Sequence, residues 1–255
     1  YLYTLAHRAS REGKPLLRPL FLEGGPYTEE AFLLGEALLV APVLEEGARA
    51  KEVPLPKGGW YPWGEDRALQ GPTWARLPAP LDRIPLLVRA GTVLPLLEEG
   101  GLALHLYPGA EGAEGRLYWD EGEGEGPYRL DRFRLLPAEG GFRLLWQGKG
   151  ELPWPWARVR LRLFGKRLLR AHVEGEAHAA EEGGVLLPPF REALLEVEDE
   201  GGEGVVSGGW GRGPGGASRG RLPGGGPAPP VEPGGGRGGG GLVPPRPARG
   251  GAQAL

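Results

Sequence analysis

The stretch RVRLRLF at 158–164 alternates strictly between charged and apolar side chains. A period of two is that of a strand with one wet face and one buried face, so Val159, Leu161 and Leu163 are expected to face a core while their Arg neighbours face water. The same texture runs through most of the chain. Short apolar or alternating runs at 38–43, 51–55, 74–77, 86–88 and 92–96 are separated by Pro and Gly clusters at close intervals. A second series follows at 102–107, 115–120, 126–130, 132–136, 141–147, 157–164, 168–173, 185–188 and 193–198. This pattern predicts antiparallel β-sandwiches.

The first residues read differently. Leu2, Leu5, Ala6 and Ala9 have helical spacing, and Gly13 followed by Lys14-Pro15 is a stop signal. Leu16, Leu17, Leu20, Phe21 and Leu22 form a short apolar run with one Pro, expected as a buried strand of the kind that closes a parallel barrel. After Gly24-Gly25-Pro26, residues 28–34 are expected as a short helix, with Thr28 as its cap and Glu29 and Glu30 favouring the helix dipole. Helix, strand, loop and helix would be the end of a (β/α)8 barrel. The chain starts at Tyr1 inside an apolar helical run and contains no Met, so it is expected to be the back part of something longer.

Composition excludes several classes. With no Cys there are neither disulfides nor thiolate metal sites, and a cytoplasmic setting is the default expectation. No apolar run approaches the roughly 18 residues of a membrane span, so a soluble protein without a membrane partner is expected. The formal charge of −3 is uneven: Arg212, Arg219, Arg221, Arg237, Arg246 and Arg249 face only Glu232 after Ser207, making that tail +5 and leaving the body −8. Such a body has no electrostatic reason to seek nucleic acid. From 207 onward Gly, Pro, Arg and Ala dominate, and a segment so poor in branched apolar residues is expected to be disordered. A Gly/Pro linker and a GC-rich coding sequence read out of frame account for it equally well.

Four segments in register carry a resemblance: GKPLLRPLFLE at 13–23, GEALLVAPVL at 35–44, PLDRIPLLVRAGTVLP at 80–95 and LYWDEG at 117–122. In this order they resemble the end of the catalytic barrel and the following β-domains of family 31 glycoside hydrolases, the α-glucosidase family. The resemblance implies a mainly β organisation with a barrel remnant at 1–37, a proximal β-sandwich at 38–100, a distal β-sandwich at 101–200 and a disordered tail at 201–255. For the intact enzyme it implies retaining hydrolysis of a terminal α-linked glucose or related sugar such as α-xylose. An α-glucoside oligosaccharide would be the substrate, and no cofactor is needed. Retention uses two carboxylates about 5–5.5 Å apart, one attacking the anomeric carbon and the other protonating the leaving oxygen. The family's nucleophile and acid signatures match no position here, so no catalytic, cofactor-binding or metal-binding residue carries over, and this chain alone is expected to be an inactive scaffold. A free-standing β-sandwich module that binds carbohydrate or another protein is the rival.

The residues with chemical potential have quieter readings. The Asp residues are Asp66, Asp82, Asp120, Asp131 and Asp199, none at the end of a parallel strand. Asp82, beside Arg83, is expected in a turn, and Arg89 as a buried cation paired with an acid. The acidic turn Asp120-Glu121-Gly122-Glu123-Gly124-Glu125 invites a calcium reading but lacks the ligand spacing of a calcium loop. It also departs from the family, with Trp119 and Glu121 where acidic residue and Asp are usual. Trp60, Tyr61 and Trp63, near a Gly58-Gly59 turn, and Trp154 and Trp156 would suit a sugar platform, yet packing between strands is favoured. His7, His105, His172 and His178 are scattered without metal-ligand spacing.

Overall fold

A computed structural model describes residues 1–98, 101–122 and 126–198. Asp199 and the tail therefore lie outside the described residues, as do the last three positions of the acidic turn, 123–125. The chain opens with helix α1 (Leu2–Glu12), which ends where Gly13 turns left-handed at φ 67° and returns its N–H to the Ala9 carbonyl. Only Thr4 and Leu5 of this helix are buried. Strand β1 (Leu17–Pro19) runs into a 3-10 turn at Leu20–Glu23, followed by β2 (Phe32–Leu34), β3 (Leu38–Val40), β4 (Ala50–Pro62), β5 (Leu69–Pro78) and β6 (Leu86–Arg89). Then come β7 (Thr92–Glu98), β8 (Gly101–Tyr107), β9 (Ala113–Asp120), β10 (Tyr128–Ala138) and β11 (Gly141–Gly150). The last are β12 (Val159–Leu163), β13 (Arg167–Val173), β14 (Glu176–Ala179), β15 (Val185–Leu187) and β16 (Glu192–Glu198). No helix among the described residues is long and apolar enough to cross a membrane.

The strands make two sheets among the described residues. The first has six in the order β1-β2-β3-β6-β4-β5, all antiparallel. Its Leu33, Leu39, Val53, Leu55, Trp60 and Leu87 share one core. The intervening residues Leu38 and Val88 are buried as well, against Leu94, Tyr107 and Phe164 of the second sheet. Strands covered on both faces read as continuous apolar runs, as 38–43 does. The second sheet has ten strands, β14-β13-β16-β11-β10-β9-β7-β8-β12-β15. Strands from both of its ends, with Ala171 and Val173 at one and Val185 and Leu187 at the other, enter the same core. The sheet is thus folded over on itself. It is antiparallel except where β12 runs beside β8 and at the Thr92–Glu114 rung. Val159 and Leu161 are fully buried and Leu163 nearly so, as the alternation requires.

Three expectations need correction. Residues 28–34 are not a helix: Thr28 Oγ1 accepts the Glu30 N–H at 3.1 Å in a local turn, and Phe32–Leu34 pair with β1 on one side and β3 on the other. A single helical turn has a costly nucleus, and the alternative here buries Leu33 completely within a sheet. The run at 16–22 is only partly strand, and β1 pairs antiparallel with β2 rather than closing a parallel barrel. Gly58-Gly59 is not a hairpin turn either. β4 continues through it by a bulge, with the register shifting between Leu55 and Gly58, and the chain reverses at 63–68 instead. The bulge demands Gly at its partner too, because a Cβ on Gly71 would overlap the Pro56 carbonyl. The change of sheet falls at 90–91, between β6 and β7.

Candidate functional site

Asp120, at the end of β9, has the most elaborate polar surroundings of the carboxylates singled out in the sequence. Its carboxylate accepts the hydroxyls of Tyr3 and Tyr118, the latter at 2.8 Å, and the Gly122 N–H at 2.9 Å. Tyr3 comes from α1, so the turn is fastened to the helix. His7, one helical turn on, stacks on Tyr118 with ring centroids 3.6 Å apart, and Thr4 Oγ1 accepts the Tyr118 N–H at 2.9 Å. The hydroxyl of Tyr3, then that of Tyr118, holds the Asp120 carboxyl below its usual range. Burial and the bond to Asp120 push Tyr118 up to about 12. The His7 ring is lowered by burial and then by Arg11. An ionised, triply hydrogen-bonded carboxylate whose donors stay protonated is a fastening, not a general acid. The sequence order held no signal for it, since Thr4 and Tyr118 are 114 positions apart.

The other described Asp residues lie on different elements. Asp66 is exposed in the turn after β4, and Asp82 is exposed in a turn closed by the Arg83 N–H on the Pro80 carbonyl at 3.1 Å. Asp131 is fully buried in β10. Its carboxylate takes the Arg129 guanidinium at 2.9–3.1 Å and the Trp146 indole N–H at 2.7 Å, which satisfies a buried charge. Arg89 is paired as expected: Nη1 meets Glu23 at 3.2 Å, and its guanidinium lies 4.9 Å from the centre of the Trp60 ring. This contact joins β6 to the 3-10 turn after β1.

The aromatic residues are mostly packing. Trp60 is fully buried and donates its indole N–H to the Pro56 carbonyl at 2.9 Å, while Tyr61 reaches the Pro108 carbonyl. Trp63 is 44% exposed. Trp154 stands edge-on to Trp146 at 4.3 Å and to Trp156 at 4.8 Å, and Trp119 continues the row at 6.3 Å from Trp156. His105 is buried and bonded to Glu98 at 2.8 Å. Burial lowers its basicity and Glu98 opposes that change. His172 pairs with Glu196 at 2.7 Å. His172 and His178 lie on paired strands but on adjacent rungs, and so on opposite faces of the sheet, and no group of three or more possible metal ligands forms among the described residues.

Residues 13–94 match the glycosyl hydrolase family 31 C-terminal domain. The lysosomal alpha-glucosidase of Bos taurus is 38% identical over 160 residues, covering 49% of this chain and 17% of that enzyme. Alpha-xylosidase 1 of Arabidopsis thaliana is 32% identical over 197 residues, covering 66% of this chain and 22% of the enzyme. Among solved structures, a family 31 dextranase of Flavobacterium johnsoniae complexed with glucose superposes with a TM-score of 0.66 at 23% identity. It covers 78% of this chain and 31% of its own. The chain thus spans about a fifth of the length of these two curated relatives.

Proposed function

Since this chain carries the C-terminal domain of glycosyl hydrolase family 31 at 13–94, we propose that it is the scaffold portion of a retaining α-glucosidase-like enzyme. The intact enzyme would remove a terminal α-linked glucose or a related sugar from an oligosaccharide, without a cofactor. The six-stranded sheet, β1 to β6, would be its proximal β-domain and the ten-stranded sheet, from β7 onward, its distal one.

The observation that carries the scaffold reading is the placement of the Asp residues: Asp66 and Asp82 lie exposed in separate turns, while Asp131 is buried under Arg129 and Trp146 and Asp120 is held by two Tyr hydroxyls. Neither of the last two is free to attack or protonate a sugar. An apolar patch supports the same reading. Leu17, Leu22 and Tyr27 are 60, 60 and 74% exposed, and Phe21 stacks on Tyr27 beside the edge strand β1. Apolar side chains gathered on a sheet edge suit coverage by another part of a larger enzyme. Bracing the catalytic part of the larger enzyme from this side would keep its active-site loops rigid.

The test is hydrolysis of an aryl α-glucoside by the purified chain. Product formation at the buffer rate is expected. Turnover clearly above that rate, and abolished by Asp82→Asn or Asp120→Asn, would overturn the scaffold assignment.

A further inference from the structure

A cavity of about 510 Å³ lies between α1 and the outer face of the second sheet. Tyr1, Thr4 and Arg8 of the helix line one wall, and Arg116, Arg132 and Gln147 of β9, β10 and β11 contribute to the other. Two rungs of β9 and β10 on the same face show how its charge is arranged. Arg134 stands opposite Glu114 and pairs with it at 3.2 Å. Two rungs along, on the same face, Arg132 stands opposite Arg116. Cβ atoms directly across an antiparallel pair are about 4.5–5.5 Å apart, and like charges so placed repel. Arg132 makes no ion pair or hydrogen bond among the described residues, and Arg116 reaches only Glu12 at 3.7 Å.

Nearby acids do not balance these cations. Glu12 is shared with Arg8 and Lys14, both at 3.2 Å, and Arg8 with Lys14 holds its carboxyl down at about 2. Glu36 is taken by Arg8 at 2.9 Å, with Lys14 and Arg18 within 3.9 Å. Arg8, Lys14, Arg18 and Arg116 thus share Glu12 and Glu36, with Arg18 also 3.8 Å from Glu23, while Arg132 has no carboxylate partner among the described residues, on a body whose formal charge before Ser207 is −8. A guanidinium pair offers forked donors to one oxyanion, and a third partner of opposite sign turns the repulsive rung into an attractive one.

We propose that the Arg116–Arg132 rung and the adjoining cavity bind a phosphate group, free or as the monoester of a small molecule. The volume falls within the range of small-ligand pockets, larger than a bare phosphate requires, and Thr4 and Gln147 supply neutral polar atoms at its walls. This site is independent of sugar hydrolysis and of the scaffold reading.

Amide chemical shifts of the full chain, titrated with inorganic phosphate and separately with glycerol 3-phosphate at constant ionic strength, test it. Saturable shifts are expected at Arg116, Arg132 and Gln147. Arg132→Gln, a change at an exposed position, should weaken the affinity about tenfold or more, as for loss of a charge-assisted hydrogen bond. Arg143→Gln, on the same sheet but outside the cavity, should leave it unchanged. Tighter binding of glycerol 3-phosphate identifies a phosphate ester as the ligand, and equal binding identifies the free ion. Shifts that never saturate, or that weaken equally in the two variants, would overturn the site.

Discussion

Replacing Asp131 by Ala strands two donors at once, the Arg129 guanidinium and the Trp146 indole N–H. Breaking a buried ion pair from one side costs about 3–5 kcal/mol. The low end is expected, because the Arg129 side chain keeps 20% of its surface in water. Urea unfolding followed by tryptophan fluorescence would measure it, and a loss under about 1 kcal/mol would contradict the structural role. The sequence held a usable signal: Asp131 stands two residues before Phe133 and four before Leu135, so the period of two puts it on the core face. What the order of residues could not say is that Arg129 and Trp146 would satisfy it there. Asp120 gives a prediction of opposite character. Its pKa is depressed in the folded chain, so the contribution of its bonds is present above the unfolded value of about 3.9 and is lost as pH falls through the lower folded value. Tyr3→Phe should move the Asp120 carboxyl upward, by carboxyl carbon titration in NMR. An unmoved carboxyl would show that Tyr3 does not hold it.

At the scale of elements, α1 is held by the few side chains that reach β9. Thr4→Val preserves shape but withdraws the acceptor of the Tyr118 N–H, an exchange expected to cost about 1–3 kcal/mol if the amide stays unsatisfied. Hydrogen exchange at Tyr118 reports it directly, and undiminished protection would mean that the Thr4 bond contributes little. The same measurement should rank β1 well below β12. β1 has three residues at a sheet edge with Leu17 exposed, whereas β12 lies between β8 and β15 with its alternate residues buried. Equal protection of the Leu17 and Arg18 amides and those of 159–163 would contradict that ranking. The difference in legibility between these elements has the same physical origin. RVRLRLF alternates and so admits one reading, while TEEAFLL at 28–34, of the same length, runs from polar to apolar with no alternation to separate helix from buried strand.

For the whole molecule, the joint between the sheets is Tyr61, Val88, Leu94, Tyr107 and Phe164. Phe164 stacks on Tyr107 at 4.2 Å and is fully buried although it lies just past the end of β12. Phe164→Ala should cost about 3–5 kcal/mol through lost transfer energy and the cavity left behind. Since both sheets share that cluster, amides around Trp60 in the first and Trp146 in the second should lose protection together. Loss confined to one sheet would show that the sheets unfold independently. The sequence alone determined where most strands lie and which residues of each face inward, because both follow from a period of two that neighbouring residues record. It also carried the family resemblance, through segments that keep their order. Only the tertiary structure decided that 28–34 is drawn into a sheet, that β12 runs parallel beside β8, and that Arg132 meets Arg116 while Asp131 meets Arg129 and Trp146. The choice of partner between strands is a long-range competition for burial and hydrogen bonds, and no local period records its outcome.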